Sequence, residues 1–363
     1  QSVKNAKQLD TERQVLNEQL QVTQQELKSH TIPLAYIGYR NQPPPTHLLL
    51  RGDLKTPGPE VVATGFSNIT TPNPQFGLSS KSPEGSRRLK FAEWATSPEH
   101  PLTARVIVNR IWQYHFGKGL VKTPSDFGFN GGLPSHPELL DWLATDFVRH
   151  GWSIKHLHRR IMQSAAYRQS SAINQRAAEL DPDNRFLWKF SPRRLEGETV
   201  RDVLLAVSGE LNHQIGGPSF QPFTVTVFNT HFYHLFDSEK SQYNRRTVYR
   251  ANVMTGRSPL LDAFDCPAPS ISAPNRASTT TPQQALALMN DSFVLRQAER
   301  LATRTQETVG GDANKQVQQI YQRALGRTPT RSEATDMVTL VKQHGLKTAC
   351  WVLMNSSEFL YLK

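Results

Sequence analysis

The sequence has few cysteines, no long apolar run and fewer acidic than basic residues. Its 363 residues contain two cysteines, Cys266 and Cys350, which are too few for a disulfide framework or a structural zinc site. Neither cysteine belongs to a CxxCH string, so we expect no haem and no other cofactor in this chain. No apolar run approaches the roughly 18 residues of a membrane-spanning helix. The sequence therefore excludes a disulfide-stapled domain, a c-type cytochrome and a membrane span.

The charge balance favours anionic partners. Lysine and arginine number 42 against 31 aspartates and glutamates, which gives a net charge of +11. Basic clusters occur at Arg87-Arg88, Arg159-Arg160 and Arg245-Arg246, but no recognised nucleic-acid module accompanies them. We therefore rank an acidic polysaccharide or an acidic partner protein above nucleic acid.

The chain divides into three stretches by composition and periodicity. Residues 1–30 are polar, with leucines spaced by seven, four and seven residues, which predicts a helical arm or linker. Residues 31–86 are rich in proline and predict an extended segment. Residues 87–363 predict a multi-helix domain with a β insertion near 220–253, where apolar residues alternate. The predicted fold class is mainly α, with a minor antiparallel β insertion and an N-terminal helical arm.

Several local patterns predict where helices and strands begin. Ser135–Glu138, Thr281–Gln284 and Thr330–Glu333 have the capping-box pattern, and Asp291 is a plausible N-cap. Ser191-Pro192 predicts the start of a long helix that runs to about Leu211. Alternation predicts strands within residues 220–236 and again from Thr247 to Val253.

Several long strings stand out along the sequence. The first string is LTARVIVNRIWQYHFGKGL, from Leu102, and it continues to Ser170. Further strings follow in order: Pro192-Arg193-Arg194-Leu195 with Glu198, Arg201 and Asp202; Arg245-Arg246-Thr247-Val248-Tyr249; Thr281-Pro282-Gln283-Gln284 with Asn290-Asp291; and Asn355-Ser356-Ser357-Glu358-Phe359-Leu360. Together they resemble a known family, planctomycete-specific domain one, and the similarity covers roughly residues 43–363.

The resemblance carries expectations about location and partners. Domains of this family usually end long exported proteins of Planctomycetes, after a cytochrome-c-like domain and a second planctomycete domain. It therefore implies a periplasmic or cell-envelope module cut from a longer polypeptide, with those two domains as partners. It implies no activity, because the family brings no established catalytic residues.

One candidate ligand-binding face lies on the helix predicted after Pro101. Arg105 and Asn109 share a face with Trp112 and Phe116, while Arg110 and His115 lie beside that stripe. Arginine and asparagine next to an aromatic ring can hold a carboxylate, a sulfate or a sugar hydroxyl. The alternative interpretation is a buried polar network that serves loop carbonyls.

Two sets of residues could carry acid/base chemistry. Glu198 and Asp202 are one helical turn apart, as paired carboxylates of a glycosidase can be, with Arg194 spaced to pair with Glu198. Asp126 and His136 could form an acid/base pair if the fold brings them together. The alternatives are an ion-pair network for the first set and turn formation for the second.

The ligand-binding residues that we predict are Arg105, Asn109, Arg110, His115, Arg193, Arg194 and Arg201.

A metal site is not predicted. The close histidine pairs, His231/His234 and His156/His158, do not match HExxH.

The function predicted from the sequence is recognition of an anionic ligand such as acidic polysaccharide, or docking of partner domains. The alternatives are a polysaccharide hydrolase or lyase and a scaffold for a cytochrome-c-like domain. We also expect the polar faces that contain Arg105 and Glu198 to meet in one site.

Overall fold

The computed structural model describes residues 2–29, 38 and 41–362, with the side chains of residues 2–12 and 28–29 left undescribed. Half of the chain is helical, and small two-stranded antiparallel sheets accompany the helices, which confirms the predicted fold class. The chain groups into two compact units, residues 1–100 and residues 101–363. The boundaries that the sequence predicts at residues 30 and 86 stay a prediction.

The first unit contains little regular structure besides two helices. Helix α1 spans Ser2–Ser29, strands β1 and β2 span Thr46–Leu49 and Pro57–Val61, and helix α2 spans Glu84–Ala95. Leu16, Leu20 and Leu27 of the predicted leucine seam are all more than half exposed, so they are not packed into a core formed by the described residues. The side chain of Leu9 lies outside the described residues.

The second unit begins with helices that surround one apolar core. They are α3 (Thr103–Phe116), α4 (Pro137–Arg149), α5 (Ile154–Gln163), α6 (Ala165–Arg168) and α7 (Gln175–Leu180). Their core side chains follow the helical period and include Val108, Trp112, Leu143 and Leu157. The α4 capping prediction was wrong by one residue: the N-cap is His136, and the Ser135 hydroxyl lies 2.9 Å from His136 Nδ1 instead of capping the helix.

The remainder of the second unit packs around a second apolar core. Its elements are β3 (Arg193–Arg194), α8 (Gly197–Ser208), β4 (Phe223–Val227), β5 (His231–Leu235), α9 (Pro259–Ala263), α10 (Pro282–Asn290), α11 (Ser292–Val309), α12 (Ala313–Leu325), α13 (Arg331–Met354), α14 (Ser357–Leu360) and β6 (Tyr361–Leu362). Helices α8, α11, α12 and α13 supply most of this core, with Leu204, Leu301, Ile320 and Met354 fully buried. The capping boxes at Thr281 and Thr330 and the N-cap at Asp291 are confirmed.

Two predicted elements around this core are wrong. The long helix from Ser191 starts later, at Gly197, because Arg193–Arg194 pairs as a strand with Tyr361–Leu362 at the C-terminal end. The strand from Thr247 to Val253 is a 3₁₀ turn at Thr247–Tyr249, because Asp202 takes the Thr247 N–H that a strand partner would need. The β insertion is instead the hairpin β4–β5, with Val225 opposite Tyr233.

Candidate functional site

The polar side chains Arg105 and Asn109 of α3 form hydrogen bonds with other parts of the chain. Asn109 is fully buried, donates to the carbonyl of Val121 at 3.0 Å and accepts from the Val121 N–H at 2.8 Å. Arg105 donates to Asp141 at 2.6 Å and to the carbonyl of Pro101. These contacts match the buried polar network that the sequence left as the alternative, and the ligand-binding roles of both residues stay predictions.

Arg110 and His115 lie on the second half of α3. Within the described residues, Arg110 forms no ion pair, and its Nη2 lies 3.4 Å from the Ser125 hydroxyl. His115 Nε2 lies 2.7 Å from His158 Nδ1, so one ring donates and the other accepts. Burial, then the charges of His158 and Arg193, lower the pKa of His115 and favour its neutral form.

Arg193 and Arg194 point to opposite sides of β3, as neighbouring residues of a strand must. Arg193 donates to the carbonyl of Tyr114 at 2.6 Å, on the α3 side. Arg194 donates to the Thr280 hydroxyl at 2.8 Å, and its guanidinium lies 5.5 Å from the Phe264 ring centroid. The two guanidinium groups therefore contact different parts of the chain, and their ligand-binding roles stay predictions.

Glu198 is held by arginine. Arg276 donates to both carboxylate oxygens, at 2.6 and 2.8 Å, and the Cys266 thiol donates at 3.6 Å. Burial alone would raise the pKa of Glu198, but hydrogen bonds from Arg276, from a backbone N–H and from Cys266, together with the charge of Arg276, outweigh burial and lower it. Glu198 is therefore ionised at neutral pH and is poorly suited to be the general acid of a glycosidase. The predicted pairing of Arg194 with Glu198 is wrong, because Arg194 lies in a strand and donates to Thr280.

The second predicted acid/base pair serves local structure. The Asp126 carboxylate accepts from the Gly128 N–H at 2.9 Å, which closes a turn, and Asp126 is exposed. His136 lies against Ser135 and packs edge-on against the Phe186 ring at 5.8 Å. Among the residues that the structure describes, no hydrogen bond joins Asp126 to His136.

Arg201 and Asp202 hold the loop around residues 243–247. Arg201 donates to the carbonyls of Tyr243 and Arg245, at 2.6 and 2.9 Å. Burial lowers the pKa of Arg201 to about 10, which leaves it charged at neutral pH. Asp202 accepts from the N–H and the hydroxyl of Thr247, at 2.7 and 2.6 Å. This pair on α8 fixes the loop that carries Arg245.

An open cleft of about 850 Å³ lies beside that loop and the hairpin β4–β5. Arg245 lies in its wall, where it donates to the carbonyl of Pro218 at 2.8 Å and stacks 4.2 Å above the Tyr249 ring. The lining combines amides, rings and hydroxyls: Asn212, Gln214, Pro218, Ser219, Phe220, Gln221, Phe223, Thr224, Phe236, Ser241, Gln242, Tyr243 and Arg245. That lining contains one arginine and no aspartate or glutamate.

The structure therefore does not gather the predicted residues into one site. Asn109 and Arg105 turn toward Val121 and Asp141, whereas Arg201 and Asp202 turn toward the 243–247 loop. A link between α3 and α8 runs through neighbouring residues of one loop, since Gln113 donates to Asn275 and Arg276 donates to Glu198. The sequence contains no pattern that predicts the cleft, although Arg245-Arg246 stands out as a basic cluster.

Comparison with known families finds a match over most of the chain. The model of the PSD1 family, described as a protein of unknown function (DUF1553), matches residues 87–341, more than two thirds of the chain. The chain belongs to the PSD1 family. No curated protein and no solved structure matches it. In this PSD1 chain, the helices that the structure describes are all too short or too polar to cross a membrane.

Two strings of the family resemblance contact each other beside the cleft. Arg201-Asp202 and Arg245-Arg246-Thr247 come from separate strings of the family resemblance, and side-chain bonds join them. The loop between Asn244 and Arg250 is thus held in place by one helix of the PSD1 region. This arrangement presents Arg245 to the cleft.

Proposed function

We propose that this PSD1 chain is a binding module whose cleft recognises an anionic saccharide. The observation that carries the proposal is the cleft's lining, which has an arginine, several amides and aromatic rings but no carboxylate. Clefts of roughly 300–1,000 Å³ hold small ligands, and this one is within that range. A lining without Asp or Glu does not repel a sulfate or a uronate.

The charge of Arg245 favours an anion over a neutral sugar. Its guanidinium is buried with the residue 6% exposed, and it has no carboxylate within ion-pair distance among the described residues. Its bonds go to the carbonyls of Pro218 and Gly216, which leave its positive charge uncompensated. A hydrogen bond to a charged group contributes about 1.5–3 kcal/mol, or about tenfold to 150-fold in affinity.

The amides and aromatic rings of the cleft suit the uncharged parts of a saccharide. Gln214, Gln221 and Gln242 are exposed at its wall, and each amide offers both donors and an acceptor. Phe236 and Tyr243 add ring faces, with their centroids 5.4 Å apart. Sugar hydroxyls and C–H faces can use both kinds of group.

The test is calorimetric titration of the chain with sulfated, carboxylated and neutral glycans at several salt concentrations. We expect the charged glycans to bind most tightly. Their affinity should fall as the salt concentration rises, since the electrostatic screening length shortens to about 8 Å at physiological ionic strength. Gln242→Ala and Phe236→Ala should each weaken binding, and Arg245→Met should weaken it at least about tenfold. Thermal unfolding of each variant checks that the cleft is still folded.

A matched control removes one positive charge elsewhere. Arg159 is exposed on α5, so Arg159→Gln should leave glycan binding unchanged. Arg193→Gln tests the α3 side, where the ligand-binding roles of Arg193, Arg110 and His115 stay predictions. Equal binding of neutral glycans, or loss with Arg193→Gln but not with Arg245→Met, would contradict binding in the cleft.

Docking of partner domains is a second candidate, and a specific surface favours it. The turn of the hairpin β4–β5 exposes Val227 and Phe228, which are 60% and 78% exposed, and Phe232 beside them. Isolated hairpins are marginally stable, so a partner on this surface would stabilise it. The resemblance to exported envelope proteins suggests the cytochrome-c-like domain or the second planctomycete domain as that partner. Sedimentation of the chain with each purified domain, with and without Phe228→Lys, tests this role.

The hydrolase or lyase alternative has less support from the geometry. Glu198 is paired with Arg276, which helps to lower its pKa, so it is not placed as a protonated acid. The Asp202 carboxylate accepts two hydrogen bonds from Thr247. The thiol of Cys266 is no better as a nucleophile, since burial raises its pKa to about 11. Release of reducing ends from any glycan that binds would restore this alternative.

A further inference from the structure

A tight corner joins helices α4 and α5 and holds two histidines beside a buried aspartate. Gly151 and Trp152 both have a positive φ, of 65° and 59°. A bulky residue rarely adopts this conformation, because it brings the Cβ close to the following carbonyl oxygen. The Trp152 N–H donates to the carbonyl of Phe147 at 3.0 Å, and the two rings pack edge-on at 5.4 Å. Packing therefore maintains the corner despite its strain.

The corner brings Asp146 and His150 of one helix end against His156 of the next helix. The His156 Nε2 lies 2.9 Å from Asp146 Oδ2, and the His150 Nδ1 lies 3.2 Å from Asp146 Oδ1. One ligand atom from each residue lies within 4.8 Å of the others. The two imidazole rings stack, with centroids 3.8 Å apart. The sequence placed neither Asp146 nor His150 in a site.

The electrostatics at this corner favour a cation. Asp146 is buried in the last turn of α4, where the helix dipole disfavours an anion. Its burial therefore needs positive charge nearby. Arg160 approaches to 3.6 Å from Oδ2, but its side chain is about half exposed and lies 5.8 Å from the Trp142 ring centroid. The Trp142 ring can hold the Arg160 guanidinium in a cation–π contact when another cation binds the Asp146 carboxylate.

We propose that Asp146, His150 and His156 form a binding site for a divalent transition metal ion, with Zn²⁺ as the best fit. Two imidazoles and one carboxylate are ligands that Zn²⁺ prefers, and three protein ligands leave a position for water. Tetrahedral bonds of about 2.0–2.1 Å place neighbouring ligand atoms about 3.3 Å apart. The 2.9 Å between His156 Nε2 and Asp146 Oδ2 is close to this spacing, whereas His150 Nδ1 faces the other carboxylate oxygen and lies 2.8 Å from the Asp146 backbone carbonyl. Metal binding therefore requires the exposed His150 ring to turn about its soft χ2, so that its nitrogen leaves the carbonyl and reaches the ion.

The test is calorimetric titration of the full, tag-free, chelator-treated chain with ZnCl₂. We expect one equivalent of Zn²⁺ to bind, and Co²⁺ to give the visible absorption of a four- or five-coordinate ion. His150→Ala and His156→Ala should each weaken Zn²⁺ binding at least about tenfold. Arg160→Gln should strengthen it, because a competing cation is removed. Zn²⁺ should also raise the thermal midpoint of the wild-type chain and not that of the His150→Ala variant.

His231 and His234 provide the matched control. Both are exposed on β5, so the double substitution to alanine removes two surface histidines far along the sequence and should leave Zn²⁺ binding unchanged. His150 is exposed, so His150→Ala stays informative even if His156→Ala fails to fold. The proposal is overturned if the chain binds no Zn²⁺ or if His150→Ala binds Zn²⁺ as tightly as the wild type. It is also overturned if the double alanine variant of His231 and His234 loses Zn²⁺ binding.

Discussion

Replacing Asn109 tests whether the polar face of α3 builds the fold or binds a ligand. Asn109 is fully buried, and its amide satisfies both the N–H and the carbonyl of Val121. Leucine has nearly the same shape as asparagine but offers no donor or acceptor. Asn109→Leu therefore leaves both backbone groups of Val121 unpaired in the core.

The cost follows from those two groups. A buried polar group without a partner costs about 1–3 kcal/mol, so the variant should lose about 2–6 kcal/mol. A domain is stable by about 5–15 kcal/mol, so this loss is a large share of the total. Gly119 supports the same contact from the other side, since a Cβ there would lie 2.8 Å from the Asn109 amide and 2.5 Å from the Val121 carbonyl. Gly119→Ala should consequently destabilise the same loop.

Urea unfolding followed by tryptophan fluorescence measures the loss, and hydrogen exchange locates it. The Val121 amide should be protected in the wild type and should exchange faster in Asn109→Leu than neighbouring amides of α3. Gln113→Leu, on the more exposed side of α3, provides the control and should cost less than about 1 kcal/mol. A loss below about 1 kcal/mol for Asn109→Leu, with unchanged Val121 exchange, would refute the reasoning.

Three further predictions concern the second core. Arg201→Leu should cost about 3–5 kcal/mol in urea unfolding, because it breaks a buried pair, whereas Arg246→Gln, on an exposed side chain, should cost under about 1 kcal/mol. Bonds from Arg327 lower the pKa of Glu333 from 4.5 to about 2, so its stabilisation is present above pH 4.5 and is lost as the pH falls toward 2; Glu333→Gln should flatten the stability curve in that window. Thr330→Ala removes the N-cap of α13, so it should lower the free energy of unfolding by about 1 kcal/mol and with it the thermal midpoint; Thr330→Ser should restore both.

Features that depend on neighbours in the chain were predicted well. The helix starts at Thr281, Asp291 and Thr330 follow from side chains that cap amides within three residues. The same reasoning failed at Ser135, where the hydroxyl bonds to the next side chain. It failed at Arg193–Arg194 as well, because the partner strand comes from the C-terminal end, more than 160 residues later.

The candidate site was harder to predict, because its geometry depends on contacts between distant residues. The sequence marked Arg201, Asp202 and Arg245-Arg246 as charged, but no spacing indicated that Arg201 would hold the loop carrying Arg245. Asp146 and His150 had a helical spacing, yet His156 joined them through a corner with two positive φ angles. Trp152 gives no signal for such a corner, since tryptophan rarely adopts a positive φ.

The sequence by itself determined that the chain is mainly helical, that it belongs with planctomycete-specific domain one, and that its charge suits anions. Those properties are sums over residues or patterns within a few turns, so they do not depend on the final packing. The tertiary structure decided which polar and charged side chains bond within the chain and which line an open cleft. An amide, carboxylate or guanidinium looks the same in the sequence whether it meets Val121, Thr247 or an open cleft, and long-range packing alone makes that choice.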